Sequence, residues 1–151
     1  MHIREDHLAD ARIHQFLSDH LDEMHSITPR ESVHALDLDG LRQPGITFWT
    51  AWEADELVGC GALKLLDSDS GEIKSMRISP AWRGKGLGSK ILEHIIAEAR
   101  QRNLRRLSLE TGAMPEFTPA RALYHRFGFE RCGPFGDYRE DPNSAFMTRV
   151  L

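Results

Sequence analysis

The stretch that most limits what this chain can become is Arg83-Gly84-Lys85-Gly86-Leu87-Gly88-Ser89, where strand-like sequence gives way to helix-like sequence. Three alternate glycines let the backbone reach positive φ and approach a ligand without Cβ interference. From Leu87 onward, Ile91, Leu92, Ile95, Ile96 and Ala99 recur at helical spacing, which predicts an amphipathic helix ending near Asn103. The first N–H groups of such a helix have no intrahelical acceptor, and the dipole adds partial positive charge there. With Arg83 and Lys85 alongside, the segment reads as an anion site suited to a diphosphate. The plainer alternative is a helix start whose glycines only ease packing; the coincidence of three glycines with two cations weighs against it.

Two other phosphate-binding patterns fit less well. A Walker loop needs Ser or Thr after Gly-Lys, and here Gly86 follows Lys85. A dinucleotide-binding unit has Glu110 in its favour, about where a ribose-binding acid belongs, but Gly84-x-Gly86-x-Gly88 is not Gly-x-Gly-x-x-Gly. The strand before the glycines also belongs to a meander rather than to a βαβ series. Ile46–Glu53, Leu57–Leu66 and Glu72–Ile78 read as three strands joined by short turns, hence antiparallel, with Ser79-Pro80 as the stop. Leu104–Glu110 reads as a strand directly after the amphipathic helix, so a right-handed crossover makes it parallel to its neighbour.

The flanks complete one domain over residues 1–151. Met1–Arg4 suits a first strand, and Ile13, Leu17, Leu21 and Met24 form the stripe of a helix from Asp6 to about His25. Thr28-Pro29-Arg30-Glu31 resembles a capping box opening a second short helix. Pro119 starts another helix through Phe127, and Phe129–Cys132 and Ala145–Val150 close the sheet. The expectation is an α+β fold with a mixed, mostly antiparallel sheet of six or seven strands and helices on both faces.

Composition removes several classes of function. A net charge of −4 opposes general nucleic-acid binding, which needs an excess of Lys and Arg to displace counterions. No apolar run approaches the ~20 residues of a membrane span, and the first residues lack the pattern of a signal peptide, so a cytoplasmic protein is expected. Two cysteines, Cys60 and Cys132, make neither a disulfide framework nor a thiolate site and read as buried free thiols. Five of the eight histidines fall in the first quarter without the i, i+4 spacing of a zinc helix, so no metal is expected.

Arg83-x-x-Gly86-x-Gly88 at a helix head, after a strand ending Ile78-Ser79-Pro80, resembles the acyl-coenzyme A signature of the GNAT N-acetyltransferase superfamily. Ala122-Leu123-Tyr124-His125-Arg126-Phe127-Gly128-Phe129 resembles that family's second signature, and the order of elements is similar over nearly the whole chain. The resemblance implies a V-shaped splay between the two central parallel strands, Glu72–Ile78 and Leu104–Glu110, with the pantetheine arm in the gap. It implies acetyl-CoA as cosubstrate, its pyrophosphate on the N–H groups of Gly84, Lys85, Gly86, Leu87, Gly88 and Ser89 beside Arg83. Backbone of Met76, Arg77 and Ile78 then holds the thioester arm, and the Met76 N–H polarises the acetyl carbonyl. One departure is the absence of Asn between Glu110 and Pro119, where many relatives carry one against the cofactor; Arg121 and Arg126 are weaker candidates for its phosphates.

Acetyl transfer requires a neutral amine, and an alkyl ammonium of pKa ~10.4 is neutral in only ~0.04% of molecules at pH 7, a deficit of ~4–5 kcal/mol. A base or a desolvating pocket must supply that difference. Glu72, at the start of the strand presenting the thioester, is the leading candidate, and Glu110 is the second, as base or as ammonium ligand. Tyr124 matches the family's general acid, placed to protonate the departing thiolate and to contact the cofactor. The resemblance implies direct transfer in a ternary complex, which needs no nucleophile from the protein, so neither cysteine needs a covalent role.

The resemblance implies an acceptor bound mainly by the first two helices, their connecting loop and the C-terminal hairpin, which here carry His20, His25, Arg30, Glu31, His34, Trp49 and Cys132–Tyr138. Such residues suggest a small polar amine that also bears a carboxylate, such as an amino acid. The alternatives are a protein or peptide lysine or N-terminal acetyltransferase, and a non-catalytic acyl-CoA-binding sensor. A homodimer is compatible with the resemblance, although no segment specifies an interface.

Overall fold

A computed structural model describes all residues, 1–151. Its elements run β1 (His2–Glu5), α1 (Ala11–Ile27), α2 (Leu38–Leu41), β2 (Ile46–Glu53), β3 (Glu56–Leu65), β4 (Ser70–Ile78), α3 (Leu87–Gln101), β5 (Arg106–Gly112), α4 (Thr118–Arg126), β6 (Glu130–Cys132) and β7 (Ser144–Val150). The seven strands form one sheet in the order β1-β2-β3-β4-β5-β7-β6, with β4 and β5 as its parallel pair and every other pairing antiparallel. The crossover predicted from the strand–helix–strand sequence is α3.

The sheet divides two cores. On one face α3 sends Ile91, Leu92 and Ile95 against Val58, Leu63, Leu107 and Leu109, with Phe129 closing the cluster beside α4. On the other, Ile13 and Leu17 of α1 pack with Leu41, Phe48, Trp52 and Cys60. Close packing of α3 on β3 is possible because Gly61 has no side chain: a Cβ there would lie 2.9 Å from Ile95 Cδ1. No helix is long and apolar enough to cross a membrane.

The expected helix boundaries at the N-terminal end are corrected in two places. α1 begins only at Ala11, because Asp10 caps it by accepting from the Arg12 N–H. The expected capping box at Thr28 is absent: Arg30–Ser32 is a single 3-10 turn with no side-chain cap, and the short helix that follows is α2, capped by Asp37 on the Gly40 N–H. Ser32 is instead buried and donates to Asp141 Oδ2 at 2.6 Å, tying this connection to the loop before β7.

The α3 face holds the larger buried apolar cluster, so its loss should be felt. Ile95→Ala, at a fully buried position, should cost about 2–5 kcal/mol in urea unfolding. Leu65→Ala, at a position 42% exposed, should stay within about 0.5 kcal/mol of the parent.

Candidate active site

β4 and β5 pair only from Ser70 to Ile73 against Arg106 to Leu109. Beyond that point β4 follows β3 while β5 follows β7 as far as Gly112, so the two part. A bulge helps to bend β4 away: Cys60 faces Arg77 and Ala62 faces Lys74, leaving Ser75 and Met76 together opposite Gly61. Ser75 carries the bend at φ 57, a left-handed conformation costing a serine on the order of 1 kcal/mol, and the Cys60 thiol donates to its carbonyl at 3.1 Å. The extra residue re-phases the strand. Glu72, Lys74 and Arg77 serve the α1 face, whereas Ile73, Met76 and Ile78 pack with the α3 core.

The glycine turn stands at the open end of this gap. Gly84 and Gly86 have φ of +77° and +81°, and a Cβ at either would meet no atom within 4 Å. Gly86 is the N-cap of α3, and none of the N–H groups from Gly84 to Ser89 has a backbone acceptor. Those amides, the glycine backbone and the parted strands fit a diphosphate with a long, narrow arm.

The cations nearby are held by the protein itself. Arg83 donates to both oxygens of Glu23, at 2.9 and 3.2 Å, and to the Ile78 carbonyl. Arg77 is buried, reaches Glu23 at 3.4 Å and lies over the Phe16 ring. Partial burial works to raise the Glu23 carboxyl, but the two guanidiniums outweigh it and hold it below its ordinary value. Lys85 lies 5.0 Å from the Trp82 ring centroid. Arg121 is spent on the Gly112 and Met114 carbonyls, pinning the loop after β5, whereas Arg126 lines the cleft.

Two cavities meet in the gap. The larger, about 550 Å³, runs from the glycine turn along Met76 and Ile78 to Leu123 and Tyr124. The smaller, about 140 Å³, is lined by Glu72, Lys74, Glu110, His34, Thr28 and Asn143. Met76 and Tyr124 border both, as do His20, Met24, Phe117 and Ala120. An extended molecule in the first and a compact polar one in the second would touch between Met76 and Tyr124.

The two carboxylates proposed from sequence stand in different surroundings. Glu72 is 2% exposed, and its Oε2 accepts from the Tyr138 hydroxyl at 2.5 Å and from Lys74 Nζ at 3.2 Å. Glu110, the first β5 residue beyond the parting, has no such partner. Burial raises its carboxyl to about 7, helped by the negative charges of Glu72 and Asp141 and opposed by the Ser144 hydroxyl and Lys74. Tyr124 is buried edge-on to Phe129, and burial and the Glu110 charge push its phenol well up, so it keeps its proton at neutral pH. Burial, reinforced by Arg77, brings His20 down to about 4, leaving it neutral.

The acceptor residues expected from sequence are only partly assembled. His20 and His34 line the smaller cavity, and Tyr138 reaches it through Glu72 and Lys74. His25, Arg30 and Glu31 are exposed and line neither cavity. Trp49 belongs to the core under α3, where it meets His94 edge-on, because odd positions of β2 face that helix. Cys60 is buried, its thiol pushed up to about 12, and neither cysteine borders either of these cavities. No three His, Cys, Asp or Glu side chains are grouped as metal ligands. Sequence reasoning missed Lys74, Glu23 and Asn143. Lys74 had one available signal, its position two residues from Glu72 on the same strand face.

The acetyltransferase (GNAT) family profile matches residues 11–129. An uncharacterized N-acetyltransferase of Bacillus subtilis, YsnE, is 56% identical over the full length of both chains. An IAA acetyltransferase of Azospirillum brasilense is 41% identical, covering 98% of this chain and 95% of its own. The solved structure of a GNAT family acetyltransferase from Elizabethkingia anophelis, with acetyl-CoA bound, superposes with a TM-score of 0.69 at 17% identity, covering 99% of this chain and 97% of that one.

The raised Glu110 carboxyl has a consequence for stability. Below pH 4.5 it is protonated whether the chain is folded or not, and nothing is lost. As pH climbs toward 7 the unfolded chain releases that proton and the folded one keeps it, so stability falls. Glu110→Gln should therefore gain on the parent by about 1–3 kcal/mol between pH 4.5 and 8, measured by urea unfolding. A difference independent of pH contradicts the burial assigned to this carboxyl.

Proposed function

The chain belongs to the acetyltransferase (GNAT) family, and on that premise we propose that it moves the acetyl group of acetyl-CoA onto the primary amine of a small polar molecule such as an amino acid. The observation that carries this reading is the meeting of the two cavities between Met76 and Tyr124, with Glu110 poised near neutrality at the wall of the smaller.

Acetyl-CoA supplies the activated thioester; the chain supplies position and protons. The free N–H groups from Gly84 to Ser89 hold the diphosphate. Backbone of Met76, Arg77 and Ile78, unpaired with β5, holds the arm, and the Met76 N–H faces charge developing on the acetyl oxygen. Glu110 accepts the proton of the incoming ammonium. A carboxyl with pKa of about 7 is half ionised at neutral pH and far more basic than an ordinary one. Glu72 ranks behind it as base because its Oε2 is already engaged by Tyr138 and Lys74. Tyr124 gives its phenolic proton to the departing sulfur and recovers one from the nitrogen that has just formed the amide bond, so the two protons the ammonium loses end on Glu110 and on the thiol.

Thiol release from acetyl-CoA across a panel of amines tests the reading. The parent should show amine-dependent release, with a limb in kcat/KM near pH 7. Glu110→Gln should lower kcat/KM by about 10²–10⁴-fold and abolish that limb, and Tyr124→Phe should lower kcat while coenzyme A binding persists. Gly86→Val, at φ +81°, should weaken coenzyme A binding in calorimetry by tenfold or more. Tight coenzyme A binding with no amine-dependent release would make the protein a sensor rather than an enzyme.

A further inference from the structure

We infer that Lys74 reads a carboxylate on the acceptor, so that the acceptor is a compact α-amino acid bound with its ammonium toward Glu110 and its carboxylate on Lys74; this rests on the amine acetyl transfer proposed above.

Lys74 lies on β4 beside the smaller cavity, with its side chain only 9% exposed. An ammonium has three N–H donors and no acceptor. One of the three goes to Glu72 Oε2 at 3.2 Å and one to the Tyr138 oxygen at 2.8 Å. No protein group accepts the third, and Lys74 lines the smaller cavity. Tyr138 in turn donates to Glu72, so each member of the trio steadies the others. Phe135, Phe146 and His34 pack around the Tyr138 ring and fix it from three sides.

Burying an ion pair is a poor way to gain stability, since desolvation offsets most of the attraction and apolar residues of equal volume often do as well. At this position the pair accomplishes something an apolar pair could not: it keeps a charged ammonium at the cavity wall. Glu72 neutralises Lys74 through one direct hydrogen bond and leaves a directional donor free. Ser32 and the Asn143 N–H occupy Asp141, the other nearby acid. Glu110 remains as the free carboxylate. The cavity thus offers one free cationic donor and one free anionic acceptor, the complement of a zwitterion. Its volume of about 140 Å³, a quarter of the neighbouring cleft, suits a compact one.

Steady-state thiol release at saturating acetyl-CoA, comparing each of several small amino acids with its own amide, tests this. The parent should favour the acid in kcat/KM by at least tenfold. In Lys74→Met the preference should fall toward unity, chiefly through KM for the acid, while Lys74→Arg should retain part of it. Glu72→Gln/Lys74→Met removes both charges together and should show the same lost preference, with coenzyme A binding by calorimetry confirming that the fold persists. A parent that turns over amines but favours the amides overturns the inference and leaves amine acetylation standing. A preference for acids that survives both substitutions also overturns it. No amine-dependent release by the parent overturns the acetyl-transfer proposal, and this inference with it.

Discussion

The parting of β4 from β5 is the constraint on which the rest of the site depends. It begins at one inserted residue: with Ser75 and Met76 together opposite Gly61, β4 bends along β3 while β5 keeps its register with β7. That single bulge turns Met76 and Ile78 to the α3 side, while Glu72 and Lys74 ahead of it face the other way. It also leaves Glu110 at the lip of the opening, where its carboxyl is shielded from water without a strong partner. An unbroken parallel pair would satisfy the same amides with each other, and the two cavities would be sealed. The left-handed Ser75 is a small local cost against that gain.

Charge is sorted around the gap with equal economy. On the side of the glycine turn, Glu23 gathers Arg83 and Arg77, so two guanidiniums are held in place near unpartnered amides. Beside the smaller cavity, two carboxylates a single strand apart are pushed into different states. Glu72 is tied to a phenol and an ammonium, and Glu110 is left to burial. Separating the proton affinities of neighbouring acids by surroundings alone is how one site assigns distinct roles to the same functional group. The neutral histidine at position 20 adds no competing charge.

Most of the fold was legible because it rests on periodicity. The α3 stripe, the β2–β3–β4 meander and the crossover to β5 follow from spacing, and the observed strands differ from the expected ones by a residue or two. The glycine turn was legible because its chemistry is local, contained in seven consecutive residues. What stayed hidden depends on contacts distant in sequence. The trio of Glu72, Lys74 and Tyr138 spans 66 positions, and Glu23 meets Arg83 across 60. Tyr138 cannot be placed on Glu72 from sequence, so the different surroundings of Glu72 and Glu110 are invisible there. Trp49 was assigned to the wrong side because β2 shows aromatics on both faces, and both faces are covered.

The central claim, that the unpartnered amides of the glycine turn and the opened β4 backbone receive coenzyme A, is open to residue-by-residue amide hydrogen exchange by NMR with and without coenzyme A. The account predicts that exchange slows at Gly84 to Ser89 and at Met76 and Ile78, while the far ends of β4 and β5, already paired, change little. Protection confined to another surface, with these amides exchanging as before, would contradict it.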